Sequence, residues 1–231
     1  MSRPTVCAVI PIRTGDVCDA DCKPKVFLRG APLWVYTFEA ALKAASLQRI
    51  IVAADDARFY QYLNESPRLE HPIVRPSYLS GVEMTTLDVL GYVTARLSGE
   101  GYCPDYYMLL EITHPIRPRA IIDRLVDIAE SRAFDSTFTA YVGAYNYWYE
   151  TDNREFARVR VKAGRTRSPL YQEMIGLASL FRTGLLQSDD PYGQKVGIVP
   201  IHGLEGLIDT RDEEGLWLAE QYLHRLDHHA K

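Results

Sequence analysis

The segment Val6-Cys7-Ala8-Val9-Ile10-Pro11-Ile12 decides the fold, and Arg13-Thr14-Gly15 follows it at once. Such an apolar run before a polar, glycine-containing segment predicts a buried β-strand that leads into a loop. The loop carries Lys23-Pro24-Lys25 and ends at Gly30-Ala31-Pro32-Leu33, where a helical pattern begins. Ligands of an open α/β sheet bind beyond the carboxyl ends of its strands. The cations that follow this strand therefore stand where a polyphosphate would bind.

Apolar strands and amphipathic helices alternate along the rest of the chain. Further strands are predicted at about 49–54, 72–75, 106–111 and 136–142, and helices at about 33–45, 58–64, 85–97, from 121 and from 210. Thr85-Thr86-Leu87-Asp88 and Thr210-Arg211-Asp212-Glu213 have the spacing of capping boxes. The alternation predicts an α/β protein with a single Rossmann-like, mostly parallel sheet and helices on both faces.

Residues 1–231 are expected to form one domain, with 143–165 as a projecting insertion. The insertion is aromatic at Tyr145, Tyr147, Trp148 and Tyr149, and Asp152-Asn153 is a candidate hairpin turn. Aromatic side chains are enriched at subunit interfaces, so we expect a homodimer through this segment. A small satellite core under a loop is the alternative interpretation.

Composition limits the partners and the compartment. The net charge of −4 provides no broad basic field, so nucleic acid is not an expected partner. No signal-like leader and no apolar run of about 20 residues is present, so no membrane partner is expected. Four scattered cysteines fit reduced thiols, and the expected location is cytoplasmic.

Four segments, in order along the chain, support a comparison with a known family. They are 8–15 with Lys23 and 30–33; 75–79 with Thr85, Thr86 and Asp88; 109–117, Leu-Leu-Glu-Ile-Thr-His-Pro-Ile-Arg; and 193–196 with Ile208-Asp209-Thr210. Together they resemble the cytidylyltransferases that activate acidic sugars, above all the CMP-N-acylneuraminate synthetases. Residues 23–28 also resemble the Pro-Lys loop of the cytidylyltransferases of isoprenoid biosynthesis.

The resemblance implies transfer of CMP from CTP to a small anionic acceptor, with Mg²⁺ as cofactor and pyrophosphate as the second product. The implied catalytic residues are Arg13, Lys23 and Asp209, with Asp209 as the metal ligand. The implied nucleotide-binding residues are Pro11, Ile12, Arg13, Thr14, Gly15, Lys23, Lys25, Arg75, Thr85 and Thr86. The implied acceptor-binding residues are Glu111, Thr113, His114, Arg165, Arg167, Tyr171 and Lys195. A sialic-acid-like nonulosonic acid is the leading acceptor, ahead of another acidic sugar or a phosphonate.

The sequence also departs from the family pattern. Asp16-Val17 stands where the family has Ser-Lys, and Leu207 replaces the first of two aspartates, so that only Asp209 remains. These changes leave open a second hypothesis, a catalytically degenerate nucleotide-binding or partner-binding relative. Purely structural roles also stay open for single residues: a surface ion pair for Arg13, a helix cap for Thr85 and Asp209, and a polar loop position for His114.

Overall fold

A computed structural model describes residues 3–63, 68–70, 73–81, 83–143, 147–159 and 170–229. Within these ranges the strands are β1 (Val6–Ile12), β2 (Phe27–Leu28), β3 (Ala31–Pro32), β4 (Arg49–Ala54), β5 (Leu69–Glu70), β6 (Tyr106–Leu109), β7 (Ser136–Gly143), β8 (Trp148–Glu150), β9 (Phe156–Arg158), β10 (Leu170–Glu173), β11 (Ser179–Arg182) and β12 (Val196–Ile201). The α-helices are α1 (Thr14–Val17), α2 (Leu33–Lys43), α3 (Thr86–Gly99), α4 (Ile121–Arg132) and α5 (Glu213–His229).

One central sheet organises the chain. Its strand order is β10-β7-β11-β6-β1-β4-β5, and β12 pairs with β7 as well. The pairs β1–β4, β1–β6, β4–β5 and β7–β12 are parallel. In the part of this sheet that the structure describes, β10 and β11 run against their neighbours. The predicted mostly parallel α/β sheet is therefore confirmed.

Helices cover both faces of the sheet, and β1 shows why. All seven of its side chains are buried, and successive side chains of a strand point to opposite faces. Val6, Ala8 and Ile10 pack with α2 and α4, whereas Cys7 and Val9 pack with α3 on the other face. A strand covered on both sides has to be apolar at every position, which is the pattern that the sequence displays.

A third apolar cluster attaches α5 to the region after β1. It joins Ala219 of α5 to Leu28, Leu33, Ile116 and Ile208. The cluster brings the start of α5 close to the carboxyl ends of the central strands. The start of α5 therefore lies beside the carboxyl-terminal edge of the sheet.

Two predicted elements near the edge of the sheet need correction. The strand expected at 72–75 is absent from the described residues 73–75, although the N–H groups of Ile73 and Arg75 donate to carbonyls of β4 at 3.2 and 2.9 Å. Pro76 follows and has no N–H to continue the pairing. Pro72 lies outside the described residues. The expected helix at 58–64 is a 3₁₀ helix at Ala57–Tyr62.

The two predicted capping boxes have different outcomes. At α3 the box is present, with Thr85 and Asp88 exchanging side-chain and backbone hydrogen bonds. At α5 the prediction is wrong, because the N–H and hydroxyl of Thr210 both donate to the Thr113 carbonyl, at 2.8 and 3.0 Å. Asp212 caps this helix instead, accepting from the N–H of Gly215 at 2.7 Å.

The aromatic segment contains the hairpin β8–β9, whose turn includes Asp152-Asn153. Trp148 and Phe156 are 60% and 73% exposed there. Tyr145 and residues 160–165 of the expected insertion lie outside the described residues. Homodimer formation through this surface stays a prediction. Among the helices of the described ranges, none has the length and apolar character needed to span a membrane.

Replacing Trp34 by Ala is expected to lower the free energy of unfolding by about 3–5 kcal/mol, because a large buried ring leaves a cavity. Trp34 is 1% exposed and packs edge-on against Phe59, with ring centroids 4.8 Å apart. Trp217→Ala is the matched control, since this ring is 61% exposed, and its effect should stay within about 0.5 kcal/mol. Denaturant titrations measure both values. Equal losses in the two variants would contradict the described packing.

Candidate functional site

A cleft of about 1010 Å³ lies at the carboxyl ends of the parallel strands. Its walls come from the segment after β1, the segment before α3, the residues after β6 and the start of α5. The predicted site residues on its lining are Pro11, Arg13, Gly15, Lys25, Arg75, Thr85, Thr86, Glu111 and Thr113. The fold thus brings nine of the predicted positions, from three of these four parts of the sequence, to one cavity.

Two cations, the half-buried Arg13 and the exposed Lys25, form the wall next to β1. The Arg13 guanidinium donates to the carbonyl of Gly81 at 3.2 Å, and the Lys25 ammonium donates to the carbonyl of Gly15. Neither side chain forms an ion pair with a carboxylate in the described part of the chain. A Cβ added at Gly15 would have no atom within 4 Å, so this stretch of wall has open space before it. Both cations are therefore available to an anionic ligand.

Arg75 is a buried cation on the same wall. It is 5% exposed, and its Nη2 lies 3.5 Å from Oδ2 of Asp55. Its Nε and Nη2 have no hydrogen-bond partner among the described residues. Burial lowers the pKa of Arg75, and the carboxylate of Asp55 opposes that shift. A buried guanidinium with unused donors is costly unless a ligand uses them.

Asp55 orients this corner of the cleft. It accepts the N–H and hydroxyl of Thr14 at 2.8 and 2.7 Å and the hydroxyl of Ser80 at 2.8 Å. Burial acts to raise the pKa of Asp55, but these hydrogen bonds, together with Arg75, lower it overall. Thr14 is thus committed to Asp55, and Ile12 is fully buried in the core. The structure places neither side chain on the cleft wall.

Lys23 also lies off the cleft lining. Its side chain is 69% exposed, and its ammonium pairs with Asp21 at 3.4 Å. The carboxylate of Asp19 accepts the N–H groups of Asp21 and Lys23, at 3.0 and 2.8 Å, and so closes a tight turn. The loop therefore directs Lys25, and not Lys23, to the cleft.

Glu111 and Arg211 line the wall next to α5, and Asp209 pairs with Arg211. Arg211 Nη2 lies 3.1 Å from Oε2 of Glu111, and Arg211 Nε lies 3.3 Å from Oδ2 of Asp209. Burial raises the pKa of Asp209, and neighbouring Glu111 and Asp212 add to this effect while Arg211 opposes it. Asp209 is not on the lining itself, but it reaches the cleft through Arg211.

A buried guanidinium fixes the backbone behind Glu111. Arg117 donates to the carbonyls of Glu111, Gly176 and Leu177 at 2.6, 3.2 and 2.7 Å. Burial lowers the pKa of Arg117 to about 9, which leaves it charged near neutral pH. A Cβ added at Gly176 would lie 2.5 Å from Oε2 of Glu111. The position of Glu111 is therefore tightly determined.

Among the described residues, the other predicted acceptor residues, His114, Tyr171 and Lys195, are not on the cleft lining. His114 is 2% exposed, and its Nδ1 is 3.2 Å from the Thr113 hydroxyl. Tyr171 lies on β10 and is 47% exposed. Lys195 lies at the opposite edge of the sheet, where its N–H bonds Asp135 just before β7. Arg165 and Arg167 fall outside the described residues.

The carboxylates of this site fit a magnesium ion only if a bound ligand supplies further oxygen atoms. In the described ranges, no group of three or more His, Cys, Asp or Glu residues is arranged to hold a metal ion. Glu111 and Asp209 supply two carboxylates that already share one cation. Mg²⁺ is commonly bound by one or two carboxylates plus substrate phosphates and water. The two carboxylates fit that mode.

Sequence reasoning did not assign roles to three residues of this site. Arg211 was visible only as part of a candidate capping box, and Arg117 only as the end of the third family-like segment. Asp55 directly follows the strand predicted at 49–54 and carries no local signal of a role. Their roles depend on contacts with residues distant in sequence, such as Glu111 and Thr14, and no local pattern encodes those contacts.

Comparison with known proteins identifies the fold. No protein-family model and no curated protein matches the sequence. A structure of CMP:2-keto-3-deoxy-manno-octonic acid synthetase complexed with CTP is similar, with a TM-score of 0.62, 17% identity and coverage of 96% of this chain and 99% of that chain. The 4-diphosphocytidyl-2C-methyl-D-erythritol synthase of Anaerococcus prevotii DSM 20548 has a TM-score of 0.64 at 11% identity over 96% and 100%.

Another 4-diphosphocytidyl-2C-methyl-D-erythritol synthase structure has a TM-score of 0.65 at 13% identity, over 95% of this chain and 99% of that chain. The likeness extends over nearly the whole length of each protein. At these identities it establishes a shared fold. It agrees with the α/β architecture that the strand and helix pattern predicted.

The buried imidazole of His114 should make the protein less stable in acid. Burial first, and then Arg117 and Arg211, lower the pKa of His114 from 6.5 to about 3. The unfolded chain therefore binds a proton at this imidazole more readily than the folded protein does. The free energy of unfolding consequently decreases as pH falls from about 6.5 towards about 3. In a His114→Asn variant, the free energy of unfolding should fall less steeply between pH 6.5 and 4. Denaturant titrations across this range check it, and identical slopes would refute a buried neutral imidazole.

Proposed function

We propose that the protein is a CTP-dependent cytidylyltransferase. An acceptor oxygen would attack the α-phosphorus of CTP, a new P–O bond would form, and pyrophosphate would leave with the electrons of the broken bond. The acceptor proton passes to solvent. This chemistry requires mainly alignment of the reacting groups and neutralisation of charge. The chain has the fold of a synthetase whose structure is complexed with CTP, and this likeness supports the assignment.

The observation that carries the proposal is the pairing of opposite charges across one cleft. Arg13, Lys25 and Arg75 line one wall, and Glu111 lines the other together with Arg211, which pairs with Asp209. A nucleoside triphosphate with a divalent ion is the ligand class that satisfies both walls. Its phosphates supply acceptors for the cations, and its metal supplies positive charge for the carboxylates.

The nucleotide can be assigned to this cleft part by part. Arg13, Lys25 and the open wall at Gly15 would hold the phosphates, since charge-assisted hydrogen bonds to phosphate are strong. The base would lie against Arg75 and the start of α3. Arg75 is on the cleft lining there, and its guanidinium would donate to the oxygen and ring-nitrogen acceptors of cytosine. The Thr85 hydroxyl is engaged with Asp88, so only its neighbouring backbone would serve the base.

Magnesium is assigned to Glu111 and Asp209. When bound there together with the triphosphate, the ion would neutralise charge on the leaving phosphates. Glu111 accepts the Thr113 hydroxyl at 3.2 Å, which helps to aim its carboxylate. Asp209 accepts the N–H of Arg211 at 3.2 Å and is oriented by that bond. The chain's own contribution is thus two positioned anionic ligands.

We assign the acceptor to a small acidic molecule, with a sialic-acid-like nonulosonic acid as the first choice and another acidic sugar or a phosphonate next. One structural neighbour is named for an acidic sugar, which supports this class. Thr113 provides a hydroxyl for it on the cleft wall. Arginine binds carboxylates and phosphonates through two parallel hydrogen bonds, and the arginines expected in this role, Arg165 and Arg167, lie outside the described residues.

One observation favours a second candidate, a nucleotide-binding relative without turnover. Asp16 lies on the cleft lining beside the proposed phosphate positions, and Lys23 is paired with Asp21 away from it. Both features reduce the positive charge available to a triphosphate. Such a protein would bind a nucleotide and would release no pyrophosphate with any acceptor.

Pyrophosphate release should occur with CTP, Mg²⁺ and at least one acid from a panel of nonulosonic acids, other acidic sugars and phosphonates. ATP, GTP and UTP serve as matched controls and should give lower rates. Coupled detection of phosphate after pyrophosphatase measures the reaction. Tight CTP binding by calorimetry without turnover would favour the second candidate. Absence of both binding and turnover would remove the nucleotide assignment altogether.

Lys25→Gln should weaken CTP binding by about tenfold, because a charge-assisted hydrogen bond to phosphate is worth about 1.5–3 kcal/mol. Lys23→Gln is the matched control, with the same change of charge two positions away. Its ammonium lies off the cleft lining, so its effect on CTP affinity should be less than about twofold. Isothermal titration with a non-hydrolysable CTP analogue compares the two. A larger loss of affinity in Lys23→Gln than in Lys25→Gln would show that Lys23, and not Lys25, binds the phosphates.

A further inference from the structure

Arg211 occupies the place where the proposed function puts a metal ion. Its guanidinium contacts Glu111 at 3.1 Å and Asp209 at 3.3 Å, so one side chain satisfies both carboxylates. A divalent ion held by these two carboxylates would compete with the guanidinium for their oxygen atoms. Magnesium and Arg211 therefore have overlapping requirements.

The carboxylates are fixed more firmly than the arginine. The Glu111 side chain is 9% exposed, and its backbone carbonyl is held by Arg117. Thr210, next to Asp209, is tied to the Thr113 carbonyl by two hydrogen bonds. The Arg211 side chain is 60% exposed on the cleft wall and has a long flexible stem. A competing cation would accordingly move the arginine and leave the carboxylates in place.

We propose that Arg211 is an internal counter-ion that magnesium displaces, and that the released guanidinium then binds the triphosphate. This inference rests on the proposed function. In the free protein, Arg211 neutralises two carboxylates that would otherwise repel each other in a half-buried site. When a metal-bound triphosphate enters, the carboxylates gain the metal and the guanidinium gains phosphate oxygens, to which its fork of donors is well suited.

The exchange makes metal binding depend on the nucleotide. Without nucleotide, a metal ion has to expel a guanidinium that gains no phosphate in return. With nucleotide, the guanidinium exchanges one anionic partner for another. The metal and the triphosphate should therefore bind cooperatively, and the coupling is equal in both directions by thermodynamic necessity. A static surface ion pair, by contrast, contributes little and would produce no such coupling.

The test measures Mn²⁺ affinity of the full chain by electron paramagnetic resonance, with and without a non-hydrolysable CTP analogue. Arg211→Gln should strengthen Mn²⁺ binding without nucleotide by about tenfold, a change of about 1.4 kcal/mol. In the same variant, the cooperativity between Mn²⁺ and the analogue should fall by a similar factor. Arg211→Lys keeps the charge and should keep the weak Mn²⁺ binding of the unchanged protein.

Arg96→Gln is the matched control, because Arg96 is also an exposed ion-paired arginine, bonded to Glu100 on α3. The Arg96→Gln variant should leave Mn²⁺ affinity unchanged. Thermal unfolding should confirm that all variants are folded. Unchanged or weaker Mn²⁺ binding in Arg211→Gln would overturn the counter-ion role. Failure of the proposed function has a different signature: the unchanged protein would bind no CTP analogue, although the Mn²⁺ difference between variants persisted.

Discussion

The buried guanidinium of Arg117 is the constraint on which the candidate site depends. It ties the residue after β6, at Glu111, to the turn between β10 and β11, at Gly176 and Leu177, and its Nη1 bonds the Thr37 hydroxyl of α2 at 2.8 Å. Carbonyl oxygens supply most of its acceptors, and its charge is kept despite burial. Removing such a group would take a hydrogen bond from each of three carbonyls, which is expensive.

This arrangement links the fold to the chemistry of the cleft. The antiparallel strands β10 and β11 interrupt an otherwise parallel sheet, and the turn between them presses Gly176 against Glu111. Only glycine fits there without moving the carboxylate or the His114 ring. The carboxylate is thus positioned by packing from a distant part of the chain, as preorganised sites require.

The charged side chains of the cleft have polar or charged neighbours within the protein itself. Arg13 and Lys25 rest on carbonyl oxygens, Arg75 is under-satisfied beside Asp55, and Arg211 holds the two acidic side chains. Hydrogen bonds between two charged groups are stronger than those that Arg13 and Lys25 form with neutral carbonyls. These two cations are therefore held in place and are still open to an anionic partner.

The amino-acid sequence by itself determined the α/β architecture, because a strand buried on both faces has to be apolar throughout and each helix carries one apolar face. It also located the first loop and the Thr85 capping box, since both depend on neighbours within a few residues. Tertiary structure alone decided that Lys25 and not Lys23 reaches the cleft, that Lys195 lies at the far edge, and that Arg211 joins Glu111 to Asp209. These outcomes depend on turns and on contacts between residues up to 100 positions apart, where local periodicity carries no information.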